Sequence, residues 1–102
     1  MPSITTEVGH SLGKDLAVQR LNDFMTNVHQ QFPGALTQVE SQWHGNELRY
    51  GFTARGLRIQ GTLTVEDQLA RVECQLPFAA MLMRGMIEKE IRGQLEQMLR
   101  PA

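Results

Sequence analysis

With 102 residues, ten of them basic, eleven acidic and 41% apolar, the chain can form one domain that buries its own core. It is too nearly neutral for charge alone to draw it to nucleic acid or to an anionic membrane. One cysteine, Cys74, excludes an intramolecular disulfide framework, and no apolar stretch approaches the ~20 residues of a transmembrane segment.

The opening Met1-Pro2-Ser3-Ile4-Thr5 shows neither a basic nor an apolar leader region, so a reducing cytoplasm is the expected compartment. Ile4, Thr6 and Val8 alternate with Thr5 and Glu7, which predicts a short strand ended by Gly9. Ser11 stands where a helix N-cap would. Leu12, Leu16, Ala17, Leu21, Phe24, Val28 and Phe32 follow at spacings of three and four, a helix that runs to about Phe32 before Pro33-Gly34 stops it.

Beyond Gly34 the period changes from 3.6 to 2 and four strands follow in succession. Val39 and Trp43 share a face of the first, and His44-Gly45-Asn46 supplies a turn. Leu48, Tyr50 and Phe52 alternate with Arg49, Gly51 and Thr53 in the second, which Ala54-Arg55-Gly56 closes. The third sets Leu57, Ile59, Leu63 and Val65 against Arg58, Gln60, Thr62 and Thr64; Glu66-Asp67 turns the chain. The fourth sets Ala70, Val72, Cys74 and Leu76 against Arg71, Glu73 and Gln75. Such alternation predicts an antiparallel meander with one dry and one wet face.

Pro77 opens a last helix that runs to Arg100. Its second half is an ordinary amphipathic stripe of Ile87, Ile91, Leu95 and Met98, with Glu88, Arg92, Glu96 and Arg100 spaced for an i, i+4 charge ladder. Its first half is different. Phe78, Ala79, Ala80, Met81, Leu82, Met83, Met86 and Ile87 point around the whole circumference, so they cannot all face one core. At 100° per residue Met81 and Met86 are rotated well away from the Ile87 stripe, Met83 lies close to it and Leu82 falls between. The expected fold class is therefore α+β, in the order β-α-β-β-β-β-α, with two helices on one face of a five-stranded, mostly antiparallel sheet. That element order is similar to the helix-grip and TATA-binding-protein-like folds.

The Ile4-Thr5 strand, the His10-Ser11-Leu12 helix entry, the Gly61-Thr62-Leu63-Thr64-Val65 strand and Leu76 through Leu99 together resemble the polyhydroxyalkanoic acid system proteins, a small granule-region family. The core of the closing segment is Ile87-Glu88-Lys89-Glu90-Ile91-Arg92. The resemblance implies a bacterial, cytoplasmic protein of polyhydroxyalkanoate storage, granule-associated and not an enzyme. It carries no catalytic residue with it.

Reactive side chains are few. His10, His29 and His44 lack the spacing of a metal site, and Cys74 falls on the inward face of its strand, where a thiol behaves as a small hydrophobe. Arg49, Arg55, Arg58 and Arg71 are diluted by Glu47 and Glu73 and lack the interleaved aromatics of a nucleic-acid platform. No cofactor or metal is therefore expected. What remains is apolar surface. The leading expectation is an accessory protein whose partner-binding residues are Phe78, Met81, Leu82 and Met86, making a homodimer or meeting a polyester granule or granule protein. The alternative is a lipid-like or hydroxyacyl ligand held between helix and sheet by Phe52, Ile59, Leu63 and Met86.

Overall fold

Alternating apolar residues and two-residue turns build an antiparallel sheet, and the computed structural model describes residues 3–27, 34 and 36–100 of the chain. Strand β1 (Ser3–Gly9) leads to helix α1 (Lys14–Thr26). Then come β2 (Leu36–His44), β3 (Glu47–Ala54), β4 (Leu57–Val65) and β5 (Leu69–Gln75). A 3-10 segment (Phe78–Met83) runs into helix α2 (Arg84–Met98). The strands lie in the order β1-β5-β4-β3-β2, every neighbour antiparallel. The fold is thus the expected α+β arrangement of five strands and two helices.

The register lines the dry face up in rows. Trp43, Leu48, Leu63, Val72 and Thr6 form one row across all five strands; Ser41, Tyr50, Gly61, Cys74 and Ile4 form the next. Leu48, Ile59, Leu63, Val65, Val72, Cys74 and Leu76 are buried there with Ala17 and Leu21 of α1 and Leu95 of α2. Leu99, one turn beyond Leu95, joins the same core. Tyr50, Phe52, Leu57 and Ile91 pack against it half-buried. Helix α2 lies along β1 and α1 over β4, so the β2 and β3 end of the face is the less covered half.

Glycines set both tight turns of the meander. Gly45 at φ 64° begins the two-residue turn between β2 and β3, as a type II′ turn requires, and Arg55 and Gly56 both take positive φ between β3 and β4, as type I′ requires. In β2 the residues Gln38 and Val39 stand opposite Phe52 alone, a β-bulge that Gln38 makes at φ 52°. Val39 nevertheless keeps the parity of Trp43, as the alternation predicts.

Several local expectations are replaced by long-range contacts. Ser11 does not cap α1; Gly13 occupies that position at φ 81°, and the Asp67 carboxylate accepts from the Lys14 N–H at 3.1 Å from the β4–β5 turn. His10 holds the same junction, its Nδ1 accepting from the Leu12 N–H at 3.2 Å while Nε2 lies 2.8 Å from the Glu66 carbonyl. Leu16, expected on the buried stripe, is 41% exposed. Helix α1 ends at Thr26, and Val28, His29 and Phe32 lie outside the described residues. The charge ladder of α2 does not form ion pairs among the described residues. Arg92 instead donates to the Glu7 carbonyl of β1 at 3.2 Å. At the other end of α2, Arg20 of α1 donates to the carbonyls of Met98 and Arg100, satisfying acceptors that a helix C-terminus leaves free.

Candidate functional site

The start of the last helix is where the structure departs most from regular α geometry. Residues Phe78–Met83 form a 3-10 segment behind Pro77, and only at Arg84 does the α-helix begin. A 3-10 turn advances about 120° per residue, so side chains three apart share a face. Ala80 is buried and Met83 half-buried on the inward side, whereas Ala79 and Leu82 turn outward. Met81 is the correction. Reckoned at the α-helical angle it should point out; in the tighter winding it packs half-buried against the core. Leu82, which fell between the two sets, is 96% exposed.

Phe78 and Met86 stand on either side of it in sequence, 82% and 60% exposed. Four positions apart in sequence, Phe78, Leu82 and Met86 give the junction of the 3-10 segment and α2 an apolar outer surface, a ridge of exposed side chains. Single exposed apolar residues need no explanation, but three large ones in sequence at this spacing do. The neighbouring Ala79 and Gly85 are small and exposed, and Arg84 between Leu82 and Met86 is exposed too. The ridge can bury apolar area against another surface and has no group for chemistry.

The residues expected for a ligand between helix and sheet are dispersed. Ile59 and Leu63 are closed into the packed core, Phe52 is half-buried with its ring stacked on that of Tyr50 at 6.2 Å, and Met86 stands in the ridge. Two grooves lie elsewhere. One of ≈ 660 Å³ is lined mainly from the wet face, by Glu40, Gln42, Arg49, Gln60, Thr62 and Gln75; the other, of ≈ 440 Å³, lies among Lys14, Asp15, Val18, Gly45 and Asn46. None of the four expected ligand contacts lines either groove.

Three of the four arginines, Arg49, Arg58 and Arg71, are paired in place. Arg49 meets Glu47 at 3.6 Å, Arg58 meets Glu40 at 3.1 Å and Arg71 meets Glu7 at 2.7 Å. The hydrogen bond and charge of Glu7 hold the Arg71 guanidinium above its ordinary pKa. These are exposed pairs, which contribute little stability, but each sets a carboxylate beside its arginine. Among the described residues no group of three His, Cys, Asp or Glu side chains gathers to hold a metal ion, and no helix is long and apolar enough to cross a membrane.

The titrating groups that the fold perturbs most sit under the sheet's glycine row. The Tyr50 side chain reaches across Gly61 and donates to the Glu73 carbonyl at 3.3 Å, with the buried Cys74 thiol beside it. Burial pushes the Tyr50 hydroxyl well above its ordinary value of 10.0, with Cys74 and then Glu73 acting in the same direction. Burial also raises the Cys74 thiol above 9.0, an effect that its hydrogen bond with Tyr50 partly offsets. Both groups hold their protons more tightly in the folded than in the unfolded chain. Their contribution is therefore complete below the unfolded values, near 9.0 and 10.0, and is lost as pH rises beyond them. A series of urea titrations should show stability falling above about pH 9, with a shallower fall in Tyr50→Phe. Equal slopes in the two proteins would remove Tyr50 as a source of the dependence.

Cys74 is thus a packed thiol rather than an exposed nucleophile, and the ridge is the surface that the core leaves unexplained. Comparison with curated proteins finds no match. The family model described as putative polyhydroxyalkanoic acid system protein matches residues 4–99, nearly the whole length, and the chain belongs to that family.

Proposed function

We propose that this chain is a non-enzymatic accessory protein of polyhydroxyalkanoate storage, which docks through Phe78, Leu82 and Met86 on the apolar surface of a storage granule. The family links the chain to polyhydroxyalkanoate systems, and the single observation that carries the docking is the exposure of three large apolar side chains within one short segment. Fully burying a side chain of this size is worth about 1.5–3 kcal/mol, so the three together supply useful affinity without any charged contact. A polyester surface offers ester oxygens and hydrocarbon but no net charge, which suits a protein whose own net charge is −1. A granule protein with an apolar groove would engage the same three residues.

The test compares the wild type with Leu82→Lys combined with Met86→Lys, by co-sedimentation with polyester granules and by thermal denaturation. Both side chains are exposed, so the variant should keep a thermal midpoint within about 3 °C of the wild type while losing granule binding. Binding that survives in the folded variant would place the contact elsewhere. Loss of the fold would assign the ridge to the core.

A further inference from the structure

The two edges of the sheet differ in protection. Along β1, helix α2 packs on the strand and Arg92 already occupies the Glu7 carbonyl. At the opposite edge, among the described residues, β2 pairs with β3 alone. From Leu36 to His44 it carries neither proline nor lysine, the residues that commonly blunt an edge. The bulge at Gln38 and Val39 interrupts its register, but from Glu40 to His44 the pairing with β3 is regular, and among the described residues nothing pairs with the outer side of this stretch.

The hairpin determines which backbone groups face outward. Because Gly45-Asn46 is a two-residue turn, the flanking pair His44 and Glu47 exchanges hydrogen bonds, and the alternation of an antiparallel ladder then turns the N–H and C=O of Trp43 and Ser41 away from β3. We propose that β2 pairs antiparallel with β2 of a second copy of this chain, about a two-fold axis at Ser41, to make one continuous sheet.

Side-chain chemistry selects that register. The axis at Ser41 sets Trp43 against the partner's Val39, twice, on the dry face, and Glu40 against the partner's Gln42 on the wet face. An axis at Glu40 would instead oppose two carboxylates across the new pair. The apolar side chains at this end, among them Leu36, Trp43 and Phe52, are only half-buried, and neither helix has its main packing there. Joining two such ends buries apolar surface that the monomer leaves wet, in addition to the backbone bonds. The two-fold axis stands perpendicular to the sheet, so the helix layers of both copies lie on the same side. This dimer does not depend on granule contact; should the ridge bind granules, two ridges on one side would bind with avidity.

Sedimentation equilibrium of the wild type should give twice the 11.5 kDa of one chain. Ser41→Pro removes the outward N–H at the axis, in an edge position where proline is tolerated, and should sediment as a folded monomer with unchanged circular dichroism. A crosslink keeps the test valid if that variant does not fold. In a Cys74→Ser background, Ser41→Cys should oxidise to a disulfide-linked dimer, because a hydrogen-bonded antiparallel pair has Cα atoms about 5.5 Å apart. Thr5→Cys, on the guarded edge, should not. The Leu82→Lys, Met86→Lys variant should remain dimeric. A monomeric wild type, a folded Ser41→Pro dimer, equal crosslinking through Thr5→Cys, or dissociation of the ridge variant would each overturn the proposal.

Discussion

Replacing Gly61 with alanine is expected to destabilise the protein by at least ~3 kcal/mol, the upper end of what overpacking costs, or to prevent folding. Gly61 sits in β4 with β3 and β5 paired on either side, so its backbone has no freedom to move aside. A Cβ there would overlap the Glu73 carbonyl oxygen and come within 2.9 Å of the Tyr50 hydroxyl. The first obstacle is backbone. Relieving it means parting β4 from β5, and adding Tyr50→Phe should therefore restore little. Gly51 is the informative control, since a Cβ there meets only the guanidinium end of Arg58, at 2.6 Å, which is the tip of a flexible side chain. Gly51→Ala should lower the unfolding free energy, read from urea titration, by less than about 1 kcal/mol, whereas Gly61→Ala should lower it severalfold more. Similar costs at the two positions would mean that the β4–β5 register is not as described.

The second large effect is expected in the middle of the core. Ile59 is buried opposite Phe52, between the sheet and its helix layer, and Ile59→Ala should cost ~2–5 kcal/mol as lost burial plus the cavity left behind. Ile91 of α2 contacts the same core from a half-buried position, so Ile91→Ala should cost less, about 1–2 kcal/mol. Denaturant titration of both variants measures the contrast. If both left the midpoint unmoved, the packing of α2 on this sheet would be wrong; if Ile91 proved the costlier, α2 would carry more of the core than its burial indicates.

What could be read in the residues follows from the range of the interactions involved. The strand faces were legible because a period of two is a local property: once Leu48, Tyr50 and Phe52 alternate with polar neighbours, their side chains must share a face, and Ile59, Leu63, Val72 and Cys74 follow in the same way. The turns at Gly45 and Gly56 were legible for a related reason, since positive φ is a single-residue requirement that glycine meets without strain. The unusual first half of the last helix was legible as well, because too many apolar residues fell in too short a stretch for one core to cover.

Which of those residues faces water was not legible. Met81 turned inward and Leu82 outward because the segment winds as a 3-10 helix, and a change of about 20° per residue accumulates over a few positions into a different face. The polar contacts were hidden for a second reason. Glu88, Arg92 and Glu96 have the spacing of a ladder, yet an exposed pair of this kind gains only a few tenths of a kcal/mol, too little to hold Arg92 once the Glu7 carbonyl stands within reach. Asp67 on the α1 entry and Arg20 on the α2 terminus likewise join residues far apart in the chain. By itself, then, the order of residues determined the elements, their faces and the family, all of which rest on neighbours in sequence. Only the tertiary structure decided the exposure of Phe78, Leu82 and Met86, the guarding of β1 and, among the described residues, the open edge of β2, because each depends on which distant groups folding brings close.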